Sequence, residues 1–222
     1  MAQRNLPRAS AVLVIGLGRF GAALAATLED IGREVLAVEK DEHLVSQWSG
    51  RLPVVEADAS NPDALEQLGA QEFSVVVVGV GTSLEASVLI TANLVDMEVP
   101  QIWAKATSGE HGRILRRIGA HHVVYPEHDA GQRVAHMVSG RMLDYIEMED
   151  GFTIVKMRPP RETQGFTIGQ SQIRARYGVT VLGVKSPGEA FEYATEDTRI
   201  SPGDTIIVSG DSSLLETFAA RP

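Results

Sequence analysis

Residues 11–39 read Ala11-Val-Leu-Val-Ile15-Gly16-Leu-Gly18-Arg19-Phe20-Gly21-Ala-Ala-Leu-Ala-Ala-Thr-Leu-Glu-Asp30-Ile31-Gly32-Arg-Glu34-Val-Leu-Ala-Val38-Glu39. The opening apolar run, Ala11–Ile15, has the length of a buried parallel strand. Gly16-x-Gly18-x-x-Gly21 follows at once. A helix of small residues then runs to about Ile31 and stops at Gly32, and a second strand, Glu34–Val38, leads into Glu39. Each part has a physical task in binding a dinucleotide. Gly16 makes the tight turn, Gly18 admits phosphate to the backbone, and Gly21 lets helix and strand approach closely. The helix N-terminus offers free N–H groups and the positive end of its dipole. Glu39, 18 residues after Gly21, is placed to accept hydrogen bonds from ribose hydroxyls. A GxGxxG alone is a weak signal. Here the strand before it, the helix after it and the acid at the end of the next strand make nucleotide binding the stronger reading, against a glycine turn that serves packing only.

Arg19 stands directly after the second glycine, where a side chain reaches a terminal phosphate. The alternative is a solvated arginine in the first helical turn, where the dipole mildly disfavours a cation.

Outward from this stretch the βα rhythm continues. Asp41 caps a helix through Trp48, and Pro53–Glu56 is a short strand followed by the loop Ala57-Asp58-Ala59-Ser60. Asn61 caps Pro62–Leu68, with proline at the first helical position. Ser74–Val78 is a β-branched strand, Gly79-Val80-Gly81 a second glycine-rich loop, and Leu84–Met97 a helix that ends before Pro100. Gln101–Ala104 is a strand ending at Lys105. Ser108 starts a helix through Ile118 that Gly119 closes, and His122–Tyr125 is a sixth strand before Pro126-Glu127. This alternation predicts an α/β fold with a doubly wound parallel sheet of order 3-2-1-4-5-6. In such sheets ligands bind at the carboxyl ends of the strands, where Gly16–Gly21, Glu39, Asp58, Gly81, Lys105 and Glu127 fall. Lys105 reads either as a phosphate ligand or as a surface lysine. Glu127 reads as an acid near a helix N-terminus, because beside phosphates it would repel them without a cation between.

Ala130–Leu143 is expected to be a helix leading out of this domain, with Val134, Met137, Val138 and Met142 as an apolar stripe. It serves either as core or as an arm to a partner. From Asp144 the pattern changes. Tyr145–Met148 and Thr153–Met157 form a hairpin about Glu149-Asp150-Gly151. A helical turn, Ile173–Tyr177, and strands Val179–Lys185, Phe191–Ala194 and Thr205–Ser209 follow. Ser212 caps a last helix through Ala219. The domains are therefore 1–143 and a small α+β unit, 144–222.

Composition narrows the function. The 222 residues are 44% hydrophobic and 22% charged, in the range of soluble globular domains. No apolar run is long enough to span a membrane, and the leading MAQRNLPRAS has no apolar signal segment. With no cysteine, disulfides, thiolate catalysis and cysteine metal sites are excluded, which suits a cytosolic protein. A net charge of −9 argues against non-specific nucleic-acid binding and against direct attachment to an anionic bilayer. No Tyr-x-x-x-Lys pair and no P-loop occur, and the second domain has no histidine. His111, His121, His122, His128 and His136 match no standard metal spacing. These residues favour a nucleotide sensor over an enzyme.

The segments VLVIGLGRFG, REVLAVEKD, ADAS, QIWAKA, LRRIGAHHVVYPEHDAG and RARYGVTVLGVK occur in this order from Ala11 toward Phe218. Together they resemble the cytosolic regulatory subunits of Ktr/Trk-type potassium transporters, the KtrA/TrkA type of the RCK family. The resemblance implies a Rossmann-like N-terminal RCK domain and a small C-terminal RCK domain. It implies ATP or ADP binding at Gly16, Gly18, Phe20 and Gly21, with Arg19 at the terminal phosphate. Glu39 would hold the ribose, Asp58 and Ala59 would flank the adenine, and Lys105 would lie near the phosphates, with Lys40 and Gly81 also among the nucleotide-binding residues. Glu127 matches an acid that binds a cation such as Mg²⁺ beside the nucleotide. The resemblance also implies dimers that build an octameric ring beneath a KtrB/TrkH-type membrane pore subunit, hence a cytoplasmic protein peripheral to the membrane. A second ligand, cyclic di-AMP, is implied at Ile168, Arg174 and Ala175. There the family's I-x-x-L-N-x-R reads I-G-Q-S-Q-I-R, departing at Ser171 and Gln172. Glu39 replaces the aspartate often found at its position, which keeps an NAD(P)(H)-binding redox sensor or oxidoreductase open as the alternative.

Overall fold

The computed structural model describes residues 10–138 and 142–222. The chain divides between Glu127 and His128 into two units. The first is a six-stranded parallel sheet in the order β3-β2-β1-β4-β5-β6, as the alternation of the sequence predicts. Its strands are β1 (Val12–Ile15), β2 (Val35–Glu39), β3 (Val54–Glu56), β4 (Val75–Val78), β5 (Gln101–Lys105) and β6 (His122–Val124). Between them run α1 (Arg19–Asp30), α2 (Glu42–Trp48), α3 (Pro62–Leu68), α4 (Leu84–Asp96) and α5 (Gly109–Ile118).

The strands read as unbroken apolar runs because both faces are covered. On one face Leu13, Ile15, Val76, Val78 and Ile102 meet Leu65, Ile90, Leu94 and Leu115 from α3, α4 and α5. On the other, Val12, Val14, Ala37 and Val77 meet α1 through Ala25, Leu24 and Leu28. Full burial of side chains of this size contributes about 1.5–3 kcal/mol each. Parallel order forces the chain to cross over after every strand, so each strand's carboxyl end opens into a loop on the same edge. That geometry gathers the glycine loop, Glu39, Asp58 and Gly81.

The start signals hold at three helices. Asp41 accepts from His43 N–H (2.9 Å), Asn61 from Asp63 N–H (3.0 Å) and Ser108 from His111 N–H (3.1 Å). Gly119 ends α5 in a left-handed conformation, φ 111°.

The sixth helix differs from expectation. α6 spans Pro126–Val138, not Ala130–Leu143. Proline at the first helical position starts it four residues earlier. Met142 does not continue its stripe but opens β7 (Met142–Glu147), where it pairs with Met157 and is buried. Residues 139–141 of the expected helix lie outside the described residues.

The second unit is an antiparallel five-stranded sheet of order β10-β9-β11-β8-β7. Its other strands are β8 (Phe152–Met157), β9 (Thr180–Lys185), β10 (Glu192–Tyr193) and β11 (Thr205–Asp211). The hairpin turns where expected, at Asp150 (φ 57°) and Gly151 (φ 73°). Two short helices, α7 (Ile168–Ser171) and α8 (Ile173–Tyr177), are divided by Gln172 at φ 48°. α9 (Ser212–Ala219) packs Leu215 and Phe218 onto Val155, Met157, Ile206 and Val208. Asp211, not Ser212, caps α9, accepting from Ser213 N–H (2.9 Å) and Leu214 N–H (3.4 Å). The Ser212 hydroxyl is turned inward, 2.5 Å from Thr153 Oγ1 and 3.1 Å from the Gly151 carbonyl. Among the described residues, no helix is long and apolar enough to cross a membrane.

Candidate functional site

The glycine loop leaves β1 through Gly16, whose φ of 94° excludes most side chains. Its N–H donates to the Val38 carbonyl (2.7 Å), and Gly79 N–H donates to the Ile15 carbonyl (2.7 Å). The loop is thereby held between β2 and β4. Gly18 begins α1 with φ −62° and ψ −177° and has no side-chain cap, and no acid occupies the first turn. The first turn therefore keeps unpaired N–H groups and an unneutralised positive dipole end. The neighbouring helices α2, α3, α4 and α5 each have a side-chain cap. Gly21 faces back onto the loop, and a Cβ there would overlap the Gly16 carbonyl oxygen.

Glu39 closes the second side. One oxygen accepts from Leu17 N–H (2.6 Å) and the other from Lys40 N–H (2.8 Å) and Asp41 N–H (3.0 Å). A carboxylate has about four lone-pair positions, so one acceptor direction is left while the other three pin the glycine loop to the end of β2.

Between these elements lies a cavity of about 240 Å³, lined by Gly16, Gly18, Glu39, Lys40, Asp58, Ala59 and Gly81 among the residues singled out from the sequence. Val38, Ala57, Val80, Ala86 and Ile90 supply an apolar wall. Asp58 Oδ1 accepts from the Ser60 hydroxyl (2.6 Å) and Ser60 N–H (3.0 Å). These bonds, and to a smaller degree the charge of Lys40, hold its carboxyl below the usual range. Asp58 is therefore an anionic acceptor at neutral pH.

A second group of the expected residues adjoins this wall. Lys105, buried at the end of β5, pairs with Glu127 at the start of α6, Nζ to Oε1 2.6 Å. Its ammonium lies 5.9 Å from the centre of the Phe20 ring. Gly81 makes room for it, since a Cβ at Gly81 would come within 3.2 Å of Lys105 Nζ. The Lys105 hydrogen bond holds the Glu127 carboxyl below its usual range, with a smaller contribution from the charge of Arg19. Arg19 itself is exposed. Thus Arg19, Phe20, Lys105 and Glu127 stand beside the cavity rather than in its lining, and Gly21 is buried under the loop.

Thr82, Ser83, Asp41 and Leu44 also line the cavity and were not among the site residues expected from the sequence, where Asp41 was read only as a helix cap. Ser83 was legible: a serine before an apolar helical run is a cap signal, and its hydroxyl accepts from Ala86 N–H (3.1 Å).

The histidines are dispersed. His111 is buried, and burial pushes its pKa down, so it is a neutral core group. His121 accepts from Ile102 N–H (3.0 Å), His122 stacks on Trp103, and His136 stacks on Tyr145. Among the described residues, no three His, Asp or Glu side chains gather as a metal site.

In the second unit Ile168 packs against the core, while Arg174 and Ala175 are exposed on α8. Ser171 is buried, and its hydroxyl donates to the Thr167 carbonyl (2.6 Å).

The TrkA-N domain model matches residues 12–126 and the TrkA-C domain model residues 164–221. "Ktr system potassium uptake protein A" of Bacillus subtilis is 33% identical over 207 residues, covering 92% of this chain and 93% of that protein. The chain belongs to the KtrA/TrkA family. The Vibrio alginolyticus protein of the same name is 32% identical over 204 residues, covering 91% of this chain and 93% of that protein. Among solved structures, the GsuK RCK domain superposes with a TM-score of 0.70 at 19% identity over 99% of this chain, which spans 49% of that chain. GsuK has also been solved bound to NAD (TM-score 0.54, 22% identity, 96% of this chain and 38% of that chain). With ADP bound, the TM-score is 0.53 at 23% identity, over 61% of this chain and 35% of that chain. The RCK architecture read from the KtrA/TrkA motifs is thus the fold of this chain.

Proposed function

We propose that the chain is a non-enzymatic regulatory subunit of a potassium-uptake system, which binds ATP or ADP at the glycine loop and controls a separate membrane pore subunit. One observation supports this most: the uncapped N-terminus of α1 and the carboxylate of Glu39 face one cavity between the first and second strands. The cavity, about 240 Å³, is smaller than the ~300–1,000 Å³ common for whole ligands. It suits the nucleoside end, leaving the phosphates along the open loop at Gly16, Gly18 and Gly21. Glu39 would take a ribose hydroxyl in its remaining acceptor direction, and Asp58 and Ala59 would border the adenine. Lys105 and Arg19 supply the cations on the phosphate side, with Arg19 at the terminal phosphate of ATP.

Glu127 fits a divalent cation in part. It is one carboxylate beside the phosphate side, and magnesium is commonly held by one or two carboxylates together with substrate phosphates. In the structure its partner is Lys105. A bound cation would neutralise phosphate charge there.

Control follows from unequal affinity. In an assembly with two shapes, each nucleotide would shift the balance only by the difference in its binding to them, and the γ-phosphate read by Arg19 is the chemical difference between ATP and ADP. The assembly would be a dimer-built octameric ring on a KtrB/TrkH-type pore, at the inner face of the membrane. The α7–α8 segment around Ile168, Arg174 and Ala175 is the place for a second ligand such as cyclic di-AMP.

The second reading is NAD(H) binding by a redox sensor. It is favoured by Glu39, because a carboxylate at the end of β2 suits the ribose of NAD equally. Potassium flux through proteoliposomes carrying the pore and this chain tests the first reading. ATP should raise the flux above that in ADP. Equal flux in both nucleotides, with a response to NADH, would replace it with the second.

A further inference from the structure

The loop that carries Asp58 and Ala59 is shaped by its own bonds and tied down by a bond from another helix. Within it, Asp58 Oδ1 accepts from the Ser60 hydroxyl (2.6 Å) and Ser60 N–H (3.0 Å), and the Asp58 carbonyl accepts from Asn61 N–H (3.1 Å). Asn61 then caps α3. These contacts are local, so they fix the shape of the loop but not where it points. The Ser60 carbonyl faces out of this set. It accepts from Asn93 Nδ2 of α4 at 3.1 Å, across 33 positions of the chain. A carbonyl is an acceptor, so the Asn93 amide presents its nitrogen there. α4 is a fixed anchor: Ser87, Ile90, Thr91 and Leu94 are buried, and Ala86 and Ile90 also form part of the cavity wall. Asn93 follows Ile90 by one turn, on the same side of the helix. Asparagine is a poor helix former, and here it stands inside a helix, where its donor is used.

We propose that Asn93 is a positioning residue for base selection: by holding the Ser60 carbonyl to α4, it fixes the Asp58 carboxylate where it accepts from adenine and rejects guanine. The inference rests on the adenine-nucleotide reading of the cavity and adds to it a residue outside the lining. Asp58 Oδ1 is taken by Ser60, while Oδ2 accepts no hydrogen bond among the described residues. A carboxylate oxygen at the base end of the cavity suits the exocyclic amino group of adenine, which donates. It opposes the carbonyl oxygen that guanine carries at the same ring position, which accepts. The order of dependence is therefore α4 to Ser60, Ser60 to Asp58, and Asp58 to the base. Without the Asn93 donor the loop keeps its local bonds but swings as a unit away from α4, and the acceptor is no longer held at one place. Backbone amides at the glycine loop contact phosphate, which ADP and GDP share, so the loss falls on the choice of base.

Calorimetric titration of the full chain with ADP and with GDP tests the proposal, on the natural protein, Asn93→Leu, Asp58→Asn and the double variant. Leucine branches as asparagine does, lacks the donor and is the better helix former, so the fold should be kept, which urea unfolding checks. Asn93→Ala removes the donor without added bulk and should give the same result. The natural chain should bind ADP about tenfold more tightly than GDP, the scale of one hydrogen bond to a charged group. Asn93→Leu should weaken ADP about three- to tenfold and leave GDP within about twofold. In the Asp58→Asn background Asn93→Leu should weaken ADP no further, because the two residues act through one contact. Three results overturn the positioning role while adenine-nucleotide binding stands: no preference in the natural chain, an unchanged preference in the folded Asn93 variants, or an additive loss in the double variant. A natural chain that binds neither nucleotide overturns the reading of the cavity and this inference with it.

Discussion

Gly18→Ala separates the fold from the binding site. At Gly18 the backbone is extended, φ −62° and ψ −177°, which alanine adopts without strain. A Cβ built there meets nothing within 4 Å. Alanine is a poorer helix cap than glycine by about 0.5 kcal/mol, but it loses less chain entropy on folding, which offsets about 0.4–1 kcal/mol. The two terms nearly cancel. At about 2–4 °C per kcal/mol for a chain of this size, the melting temperature of the free protein should move by less than ~2 °C. The new methyl group stands in the open space in front of the first turn of α1, where phosphate has been assigned. Binding should then weaken at least about tenfold, or ~1.4 kcal/mol. Differential scanning fluorimetry of the free protein and calorimetric titration with ADP read the two effects separately. An unchanged ADP affinity in a folded Gly18→Ala protein would refute phosphate binding at this loop.

Gly21→Ala should behave oppositely. Alanine favours the helix by about 1 kcal/mol, but its Cβ overlaps the Gly16 carbonyl oxygen, and overpacking of this kind costs about 1–3 kcal/mol or more. Because the overlapped atom is backbone, the cost lies at the upper end, about 3 kcal/mol, and the net loss of about 2 kcal/mol lowers the melting temperature by about 4–8 °C at about 2–4 °C per kcal/mol; an unchanged or higher one would contradict the packing account. Glu39→Gln leaves one acceptor oxygen for the amides of Leu17, Lys40 and Asp41 and sets an amide donor against the others. The free protein should lose about 1–2 kcal/mol in urea unfolding, and ADP should bind more weakly. Asp58, Glu127 and Asp211 have carboxyl pKa values below their ordinary ones, owing chiefly to hydrogen bonds from Ser60, Lys105 and Ser213 respectively. The folded state therefore binds these protons less readily than the unfolded chain. Their contribution is complete above about pH 5 and is lost as pH falls through about 4 and below. The urea midpoint should drop between pH 5 and pH 3, and Asp211→Asn should reduce the drop.

Much of the first unit was legible because its signals are local. β-branched runs separated by glycine loops and capped helices determine the alternation of strand and helix, and right-handed crossovers then leave few sheet orders. Glu39 was legible by its distance from Gly21. Its three amide contacts were not, since they depend on how the loop folds back over β2. The Lys105–Glu127 pair joins residues 22 positions apart, and no helical or strand period relates them. The end of α6 was misread for a physical reason. Met142 continues the apolar spacing of Val134 and Val138, and the pattern cannot tell a helix face from the start of a buried strand. At the other end, Glu127 was read as an acid near a helix N-terminus, but Pro126, which suits the first helical position, was not used to set the start of α6 at that point. The capping box at α7, where Thr167 Oγ1 accepts from Gln170 N–H (3.2 Å) and Gln170 Oε1 from Thr167 N–H (3.0 Å), was readable as T-x-x-Q and went unread. At α9 the expected cap was Ser212, one residue past the observed one. Asp211 took the cap because the Ser212 hydroxyl is drawn inward by Thr153 of β8, 59 positions away in the chain.

The central claim is that an adenine nucleotide occupies the glycine loop and that Arg19 distinguishes its terminal phosphate. Calorimetric titration with ATP, ADP and NADH, with and without Mg²⁺, on the natural chain and on Arg19→Ala tests it most directly. The account predicts that ATP and ADP bind the natural chain more tightly than NADH. Arg19→Ala should remove the difference between ATP and ADP while ADP still binds. Preference for NADH, or an ATP/ADP difference that survives Arg19→Ala, would contradict it.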